Sequence, residues 1–183
     1  MDMVVVQSVW GSKMISKDKL ETIRETETHI FFWKNYLSQW YKRDMIIDSI
    51  KYNCCEQYMM TEKARLFKDE ESLKIIMSSD SPATQKRQGR KVKNYDDKKW
   101  KKTCREVVFD ANYAKFTQHK DLKEKLLKTD DKIIVEASPY DSLWGVALGP
   151  WDDAILDPAN WKGKNWLGEA IMKVREKIKE DGI

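Results

Sequence analysis

The sequence predicts one compact, helix-dominated α+β domain with a small β-sheet. Apolar residues recur at helical spacing in three stretches, which begin near residues 53, 97 and 165. Two short apolar runs, residues 30–33 and 132–137, are rich in aromatic or β-branched residues, which is typical of buried strands. The chain has 183 residues, and this length suits a single domain with a substantial core.

The first 29 residues are predicted to be an N-terminal extension of a main domain that spans residues 30–183. Residues 3–10 contain a run of valines that suits a strand, and Gly11 and Ser12 would close it. Residues 13–28 are charged and carry few apolar side chains. We therefore expect a linker or a loosely packed arm between that strand and the main domain.

A tight hairpin and the most informative helix follow the first buried strand. Residues 45–47 and 50–52 flank Asp48 and Ser49, so we expect a hairpin that joins the small sheet. Asn53 is predicted to be the N-cap of a helix, with Glu56 three residues later as in a capping box. The side chains that share one face of this helix are Glu56, Met60, Lys63 and Phe67.

Four more elements are predicted in the second half of the chain. Ser81 and Pro82 begin a short helix that would end near Gly89. A long helix over residues 97–116 and a short one over 121–127 precede the strand at 132–137. The apolar stripe of the long helix is Trp100, Cys104, Val107, Ala111 and Ala114. After an irregular loop, Asn165 caps a last helix that would bury Leu167, Ile171, Val174 and Ile178.

Composition and missing motifs exclude several classes of protein. No apolar run is long enough to cross a bilayer, and no secretory signal pattern precedes the domain. The three cysteines and two histidines lack the spacing of a disulfide framework or a zinc site. We therefore expect reduced thiols, a cytoplasmic protein and no metal. Walker, GxGxxG and GxSxG motifs are absent, and a net charge of +4 alone does not indicate nucleic-acid binding.

The remaining candidates for chemistry are carboxylates, lysines and aromatic rings. Glu56, Lys63 and Asp141, with Glu136 as a further candidate, lie beside predicted core elements. Hydrolysis of a glycosidic bond uses a general acid or base and a ring face for stacking. Each residue also has a simpler interpretation, because Glu56 can cap its helix, Lys63 can reach solvent and Asp141 can form a turn. The basic stretch 86–105 is either a solvated surface or a phosphate-binding surface.

Ordered sequence blocks from about Ile30 to the C-terminus resemble the NADAR superfamily, also called YbiA-like. The blocks are FFW at residues 31–33, LSQW at 37–40, CEQYMM at 55–60, KA at 63–64, QKRQGRKV at 85–92, AKFTQ at 114–118, LLKT at 126–129, EASPYD at 136–141, WG at 144–145 and NWLG at 165–168. Their order and spacing together make the resemblance specific.

The resemblance implies a compact α+β enzyme that cleaves N-glycosidic bonds without a metal or other cofactor. It implies two substrate classes, ADP-ribose attached to guanine bases of nucleic acid and phosphorylated intermediates of riboflavin biosynthesis. The partner would thus be ADP-ribosylated nucleic acid or a nucleotide-like small molecule, and no membrane. The resemblance also implies that Glu56, Lys63 and Asp141 are the catalytic residues. The predicted substrate-binding residues are Trp100, Trp144, Gln39, Trp40, Arg90, Arg105 and Asn165.

Two departures from the family pattern support an alternative function. Gln39 replaces the usual Asn of the SNW block, and Ala147 replaces the Gly that usually follows the WG block at this position. Such changes would suit a module that binds ADP-ribose without hydrolysing it. For the enzyme, we expect Lys63 to attack the glycosyl carbon and form a Schiff base, while Glu56 and Asp141 move protons. Direct attack by water is the alternative mechanism.

Overall fold

The computed structural model describes residues 3–8, 11–16 and 23–183, and these contain six α-helices and seven strands. The strands are β1 (Met3–Ser8), β2 (Gly11–Ser16), β3 (Ile23–Glu25), β4 (His29–Phe32), β5 (Met45–Ile47), β6 (Ile50–Tyr52) and β7 (Ile133–Glu136). The helices are α1 (Cys55–Leu66), α2 (Glu70–Ser78), α3 (Pro82–Gly89), α4 (Asp97–Gln118), α5 (Lys120–Leu127) and α6 (Trp166–Asp181). Short 3₁₀ helices at Asp153–Leu156 and Pro158–Asn160 lie in the loop before α6.

The described strands form three separate sheets rather than the one that we predicted. β1 pairs with β2, β5 pairs with β6, and the largest sheet has the order β3-β4-β7. In that sheet β4 is antiparallel to β3 and parallel to β7. The hairpin at residues 45–52 does not join it, and the last residue of helix α4, Gln118, binds one edge of this hairpin. The side-chain amide of Gln118 accepts from the Ile46 N–H at 2.8 Å and donates to the Ile46 carbonyl at 2.7 Å.

The N-terminal residues differ from the predicted charged arm wherever the structure describes them. The predicted strand is present as β1, but Gly11–Ser16 forms its partner strand β2. Ile23–Glu25 forms an edge strand, and two charged residues of this strand are paired. Arg24 lies 3.0 Å from Asp153, and Glu25 lies 2.6 Å from Lys132. Residues 9–10 and 17–22 are outside the described part of the chain.

Helix α4 is the centre of the core, and it packs against α1, α5 and α6. Both predicted apolar stripes are confirmed, because every residue named for α4 and α6 is buried. Helix α2 was not predicted. Its buried residues are Ser72 and Ile76, and Leu73 and Met77 pack partly buried against the core, so a short apolar stripe of Leu73, Ile76 and Met77 was present in the sequence and was missed.

Helix α1 begins one residue later than predicted, and this changes the role of Glu56. The N-cap residue is Cys54, whose side chain makes no capping hydrogen bond. Gln57, three residues after the N-cap, makes the side-chain contact that was expected of Glu56. Its side-chain oxygen accepts from the Asn53 N–H at 2.7 Å. The predicted capping box at Asn53 and Glu56 is therefore wrong, and the Glu56 carboxylate is available for other contacts.

A glycine brings helix α3 close to α1. A Cβ atom at Gly89 would lie 2.0 Å from the sulfur of Met60, so any larger residue at this crossing would force the Met60 side chain to move. The close approach places Lys86 and Arg90 of α3 beside the face of α1 that carries Glu56 and Lys63.

Candidate active site

One cavity of about 850 Å³ lies between α1, α3, the start of α4 and the loops that follow β4 and β7. This volume falls within the range of small-molecule sites in proteins. Eight of the ten predicted site residues line the cavity: Gln39, Trp40, Glu56, Lys63, Arg90, Trp100, Asp141 and Trp144. Residues that are far apart in sequence therefore converge at one place.

Glu56 is buried at the first turn of α1, with only 4% of its surface exposed. Its backbone N–H donates to the Gln39 carbonyl at 3.0 Å, and its Oε2 accepts from the Trp40 indole N–H at 3.2 Å. Burial raises the pKa of Glu56 to about 7, although Lys86 and the Trp40 hydrogen bond act in the opposite direction. A carboxyl group with this pKa is suited to proton transfer at neutral pH.

Asp141 divides its two carboxylate oxygens between a turn and a cation. Oδ1 accepts from the backbone N–H groups of Leu143 at 3.0 Å and Trp144 at 2.8 Å. Oδ2 lies 3.9 Å from Nζ of Lys86. The turn interpretation and the site interpretation of Asp141 are thus compatible, since each uses a different oxygen.

Ala147 holds the loop of Asp141 in a conformation that favours glycine. Its φ angle is 56°, and its N–H donates to the carbonyl of Asp141 at 3.2 Å. A left-handed backbone costs a non-glycine residue roughly 1–2 kcal/mol. The turn is therefore intact with Ala where the family usually has Gly, but the residue that hydrogen-bonds to the Asp141 carbonyl has a strained backbone.

Lys63 is half-buried, and its ammonium group lies over aromatic rings. Its Nζ is 4.1 Å from the ring centre of Tyr95 and 6.0 Å from that of Trp100. Burial lowers the pKa of Lys63, and the charge of Arg90 lowers it further. Both effects favour the neutral amine, which is the nucleophilic form.

Glu136, which the sequence indicated only as a further candidate, is a third carboxyl group in the cavity. It is the last residue of β7. Its Oε2 atom is buried and has no hydrogen-bond partner among the described residues. Burial, followed by the charges of Asp141 and Glu56, raises the pKa of Glu136 to about 8, against the effect of Lys86. Its position at the end of a buried strand, before a polar turn, was the signal that could have placed it in the site.

The NADAR domain family matches residues 31–179. This chain belongs to the NADAR family. An N-glycosidase of Acanthamoeba polyphaga mimivirus is 37% identical over 165 residues, which cover 83% of this chain and 97% of the relative. Protein irg-1 of Caenorhabditis elegans is 35% identical over 147 residues, covering 79% of this chain and 68% of the relative. N-glycosidase YbiA of Escherichia coli K12 is 31% identical over 132 residues, covering 72% of this chain and 74% of the relative.

A solved member of the NADAR family has the same fold. The NMR structure of E. coli YbiA superposes with a TM-score of 0.71 at 26% sequence identity. The match covers 90% of this chain and 92% of that chain. The predicted class, a helix-dominated α+β domain with small sheets, is therefore confirmed.

The structure does not bring two predicted substrate-binding residues of this NADAR protein into the cavity. Arg105 pairs with Glu169 on α6, and its guanidinium carbon lies 5.1 Å from the ring centre of Trp166. Asn165 supports strand β7 instead, because its amide accepts from the Glu136 N–H and donates to the Ile134 carbonyl, both at 2.9 Å. Asn165 occupies the N-cap of α6 as predicted, but its side chain does not cap the helix.

Gln39 lines the cavity while its amide bonds to the core. Its side-chain oxygen accepts from Asn112 at 2.8 Å, and its side-chain nitrogen lies 3.7 Å from the sulfur of Met59. Lys115 supports the same loop from below, because its fully buried Nζ donates to the Ser38 carbonyl at 3.3 Å. These contacts fix the loop that carries Trp40, and they occupy the Gln39 amide groups.

Cations and exposed rings surround the opening of the cavity. Lys34, Lys42, Lys86 and Arg87 line it together with Arg90. Trp33 and Tyr140 lie 6.3 Å apart between ring centres, and Tyr140 is 88% exposed. This edge therefore offers positive charge and aromatic surface to a ligand.

Searches for metal and membrane features were limited to the residues that the structure describes. Among them, no group of three or more His, Cys, Asp or Glu side chains is placed to hold a metal ion. No helix in the same part of the chain is long and apolar enough to cross a membrane.

Proposed function

We propose that this protein is an N-glycosidase that releases ADP-ribose from guanine bases of nucleic acid. The observation that carries the proposal is the placement of Glu56, Lys63 and Asp141 in one cavity whose walls include Trp40 and Trp100. The carboxyl groups supply proton transfer, the lysine supplies a nucleophile, and the rings supply stacking surface. The N-glycosidases of the mimivirus and of E. coli support the reaction class.

The charge around the cavity supports a phosphorylated substrate. ADP-ribose carries a pyrophosphate, and arginine binds phosphate oxygens with a planar pair of N–H groups. Arg90 follows the last turn of α3 and lines the same cavity as Glu56 and Lys63. The exposed ring of Tyr140 at the opening could stack on a neighbouring base of a nucleic acid.

In the mechanism that we favour, Lys63 forms a covalent intermediate. Its neutral amine bonds to C1 of the ribose while the bond from C1 to the base breaks, and protonated Glu56 gives its proton to the departing base. The new amine loses a proton to a carboxylate such as Asp141. That proton moves to the ring oxygen as the ring opens to an imine. Water then adds to the imine and releases the sugar, which restores the lysine.

Release of ADP-ribose is the direct test of this function. An oligonucleotide with one ADP-ribosylated guanine should yield free ADP-ribose and an unmodified strand, both detected by mass spectrometry. The same oligonucleotide incubated with Glu56→Gln protein is the control. Binding without release would favour the ADP-ribose-binding module. Release only from a phosphorylated ribosylamino-pyrimidine would favour the riboflavin-pathway substrate.

Replacing Arg90 with alanine should raise KM much more than it lowers kcat. A phosphate contact that is equally strong in the ground and transition states affects binding alone. Loss of one charge-assisted contact costs roughly 1.5–3 kcal/mol, which is about ten- to a hundredfold in kcat/KM. A small fall in kcat is expected as well, because loss of Arg90 raises the pKa of Lys63 and leaves less of the neutral amine. The fall is small because burial, and not Arg90, is the larger cause of the lowered pKa.

Arg105→Ala is the matched control, since it removes the same charge outside the cavity. Steady-state kinetics on the ADP-ribosylated oligonucleotide at low salt should show near wild-type values for this variant. Equal effects of the two substitutions would mean that the phosphates are bound elsewhere.

A further inference from the structure

We propose that Glu136 is a further catalytic residue, whose protonated carboxyl group donates a hydrogen bond to an oxygen atom of the bound substrate. This inference rests on the proposed function for the reaction itself. It assigns to Glu136 a contact with the ribosyl phosphate part of the substrate, where acceptor oxygens are plentiful.

The backbone of Glu136 is fixed on both sides. Its N–H donates to the Asn165 side chain at 2.9 Å, and its carbonyl accepts from the Val146 N–H at 3.0 Å. The parallel pairing of Glu136 with Phe32 of β4 holds the same residue in the sheet. A side chain on such a rigid support meets the requirement that a site residue be positioned before the ligand arrives.

Glu136 differs from the other two carboxyl groups of the cavity in its hydrogen bonds. Glu56 accepts from Trp40, and Asp141 accepts from two backbone N–H groups. Oε2 of Glu136 is buried without a partner among the described residues. An unpaired buried polar atom costs free energy, and its presence in a cavity points to a partner that the substrate supplies.

The charges that face Glu136 favour its protonated form. They are Asp141 from the loop after β7, Glu56 from α1 and Lys86 from α3. A negative charge on Asp141 or Glu56 opposes ionisation of Glu136, and Lys86 lies 3.9 Å from Oδ2 of Asp141. Neighbouring carboxyl groups in different environments divide into an ionised and a protonated member. Glu136 has the higher pKa of the two raised carboxyl groups, about 8 against about 7 for Glu56, and it therefore keeps an O–H to donate at neutral pH.

Two substitutions separate hydrogen-bond donation from other roles. Glu136→Gln keeps the shape and an N–H donor, so its kcat/KM at pH 7 should stay within about threefold of wild type. Glu136→Met keeps the length but removes the donor, and it should lower kcat/KM by about ten- to a hundredfold. If the kcat/KM of Glu136→Gln falls as far as that of Glu136→Met, the proposal that Glu136 donates a hydrogen bond is refuted.

The pH dependence provides a second, independent measurement. Wild type loses the donor as Glu136 ionises near pH 8, whereas glutamine cannot ionise. The ratio of wild-type to Glu136→Gln kcat/KM should be constant below about pH 7 and fall above about pH 8 toward the level of Glu136→Met. Other ionising groups, including Glu56, affect both proteins and largely cancel in the ratio. A ratio that does not change with pH would overturn the inference.

Thermal unfolding separates this role from a purely structural one. Glu136→Met removes an unpaired buried oxygen, so its melting temperature should equal or exceed that of wild type. A clear fall in melting temperature together with the loss of activity would instead assign Glu136 to folding.

Calorimetric titration with ADP-ribose makes a failure of the inference distinguishable from a failure of the proposed function. If wild type binds ADP-ribose but cleaves no ADP-ribosylated guanine, the proposed function fails. In that case the role of Glu136 is tested only by the affinity of its variants for ADP-ribose. We expect Glu136→Gln to bind ADP-ribose like wild type and Glu136→Met to bind it at least tenfold more weakly. Equal affinity of all three proteins would overturn the inference, even if wild type is an active glycosidase.

Discussion

Glu56→Gln should lower kcat by about two to four orders of magnitude, the effect expected when a general acid is lost. Glutamine preserves the shape of the side chain and can still accept the Trp40 hydrogen bond that is 3.2 Å long in wild type. Affinity for ADP-ribose, measured by calorimetry, should therefore change little. The loss appears in single-turnover release of ADP-ribose, which measures the chemical step.

The wild-type enzyme should also show the ionisation of Glu56. Because the acid must be protonated, the single-turnover rate should fall as pH rises above about 7, the pKa to which burial raises this group. Glu62→Gln is a suitable control, since Glu62 lies on the same helix and pairs with Arg65 away from the cavity. A Glu56→Gln enzyme within threefold of wild type would exclude Glu56 as the acid.

Lys63→Ala should abolish covalent trapping of the substrate and reduce kcat by about four orders of magnitude or more. Borohydride reduces an imine to a stable amine, so wild type treated during turnover should carry a sugar adduct on Lys63, located by peptide mass spectrometry. The neutral form of this amine is accessible because burial and Arg90 both lower its pKa.

Lys99→Ala is the matched control for this experiment. Lys99 lies on the neighbouring helix α4, outside the cavity lining, with its Nζ 5.7 Å from the ring centre of Phe67. The Lys99→Ala protein should carry the same borohydride-trapped sugar adduct on Lys63 as wild type, and its kcat should be close to the wild-type value. An active Lys63→Ala enzyme would contradict the Schiff base and leave direct attack by water as the mechanism.

The sequence predicted the helices with an apolar stripe and the residues that line the cavity on them. The stripe of α4 from Trp100 to Ala114 marked the core, and its first residue, Trp100, also lines the cavity. Helix α2 was missed although Leu73, Ile76 and Met77 follow helical spacing, because this apolar stripe is short; the helix is capped locally by the Asp69 side chain, which accepts from the Ser72 N–H.

The errors concern contacts that no local pattern encodes. Sequence could not show that Gln118 covers the edge of the β5–β6 hairpin, because the two segments are 72 residues apart. For the same reason, Asn165 was assigned to the substrate although it bonds to β7, 29 residues earlier in the chain. Glu136 was named only as a further candidate and given no role, because the burial that raises its pKa arises only when distant elements pack together.

The parallel pairing of β4 with β7 bears on when the cavity can form during folding. These strands are adjacent in space but about a hundred residues apart in sequence. Closing a loop of that length costs conformational entropy before the contacts can repay it, and non-local pairing slows folding. The helix that bears Glu56 and Lys63 can form early, whereas Glu136 and Asp141 reach the cavity only after β7 has paired. We therefore expect the cavity to be completed late in folding, so that a chain still emerging from the ribosome lacks one of its walls.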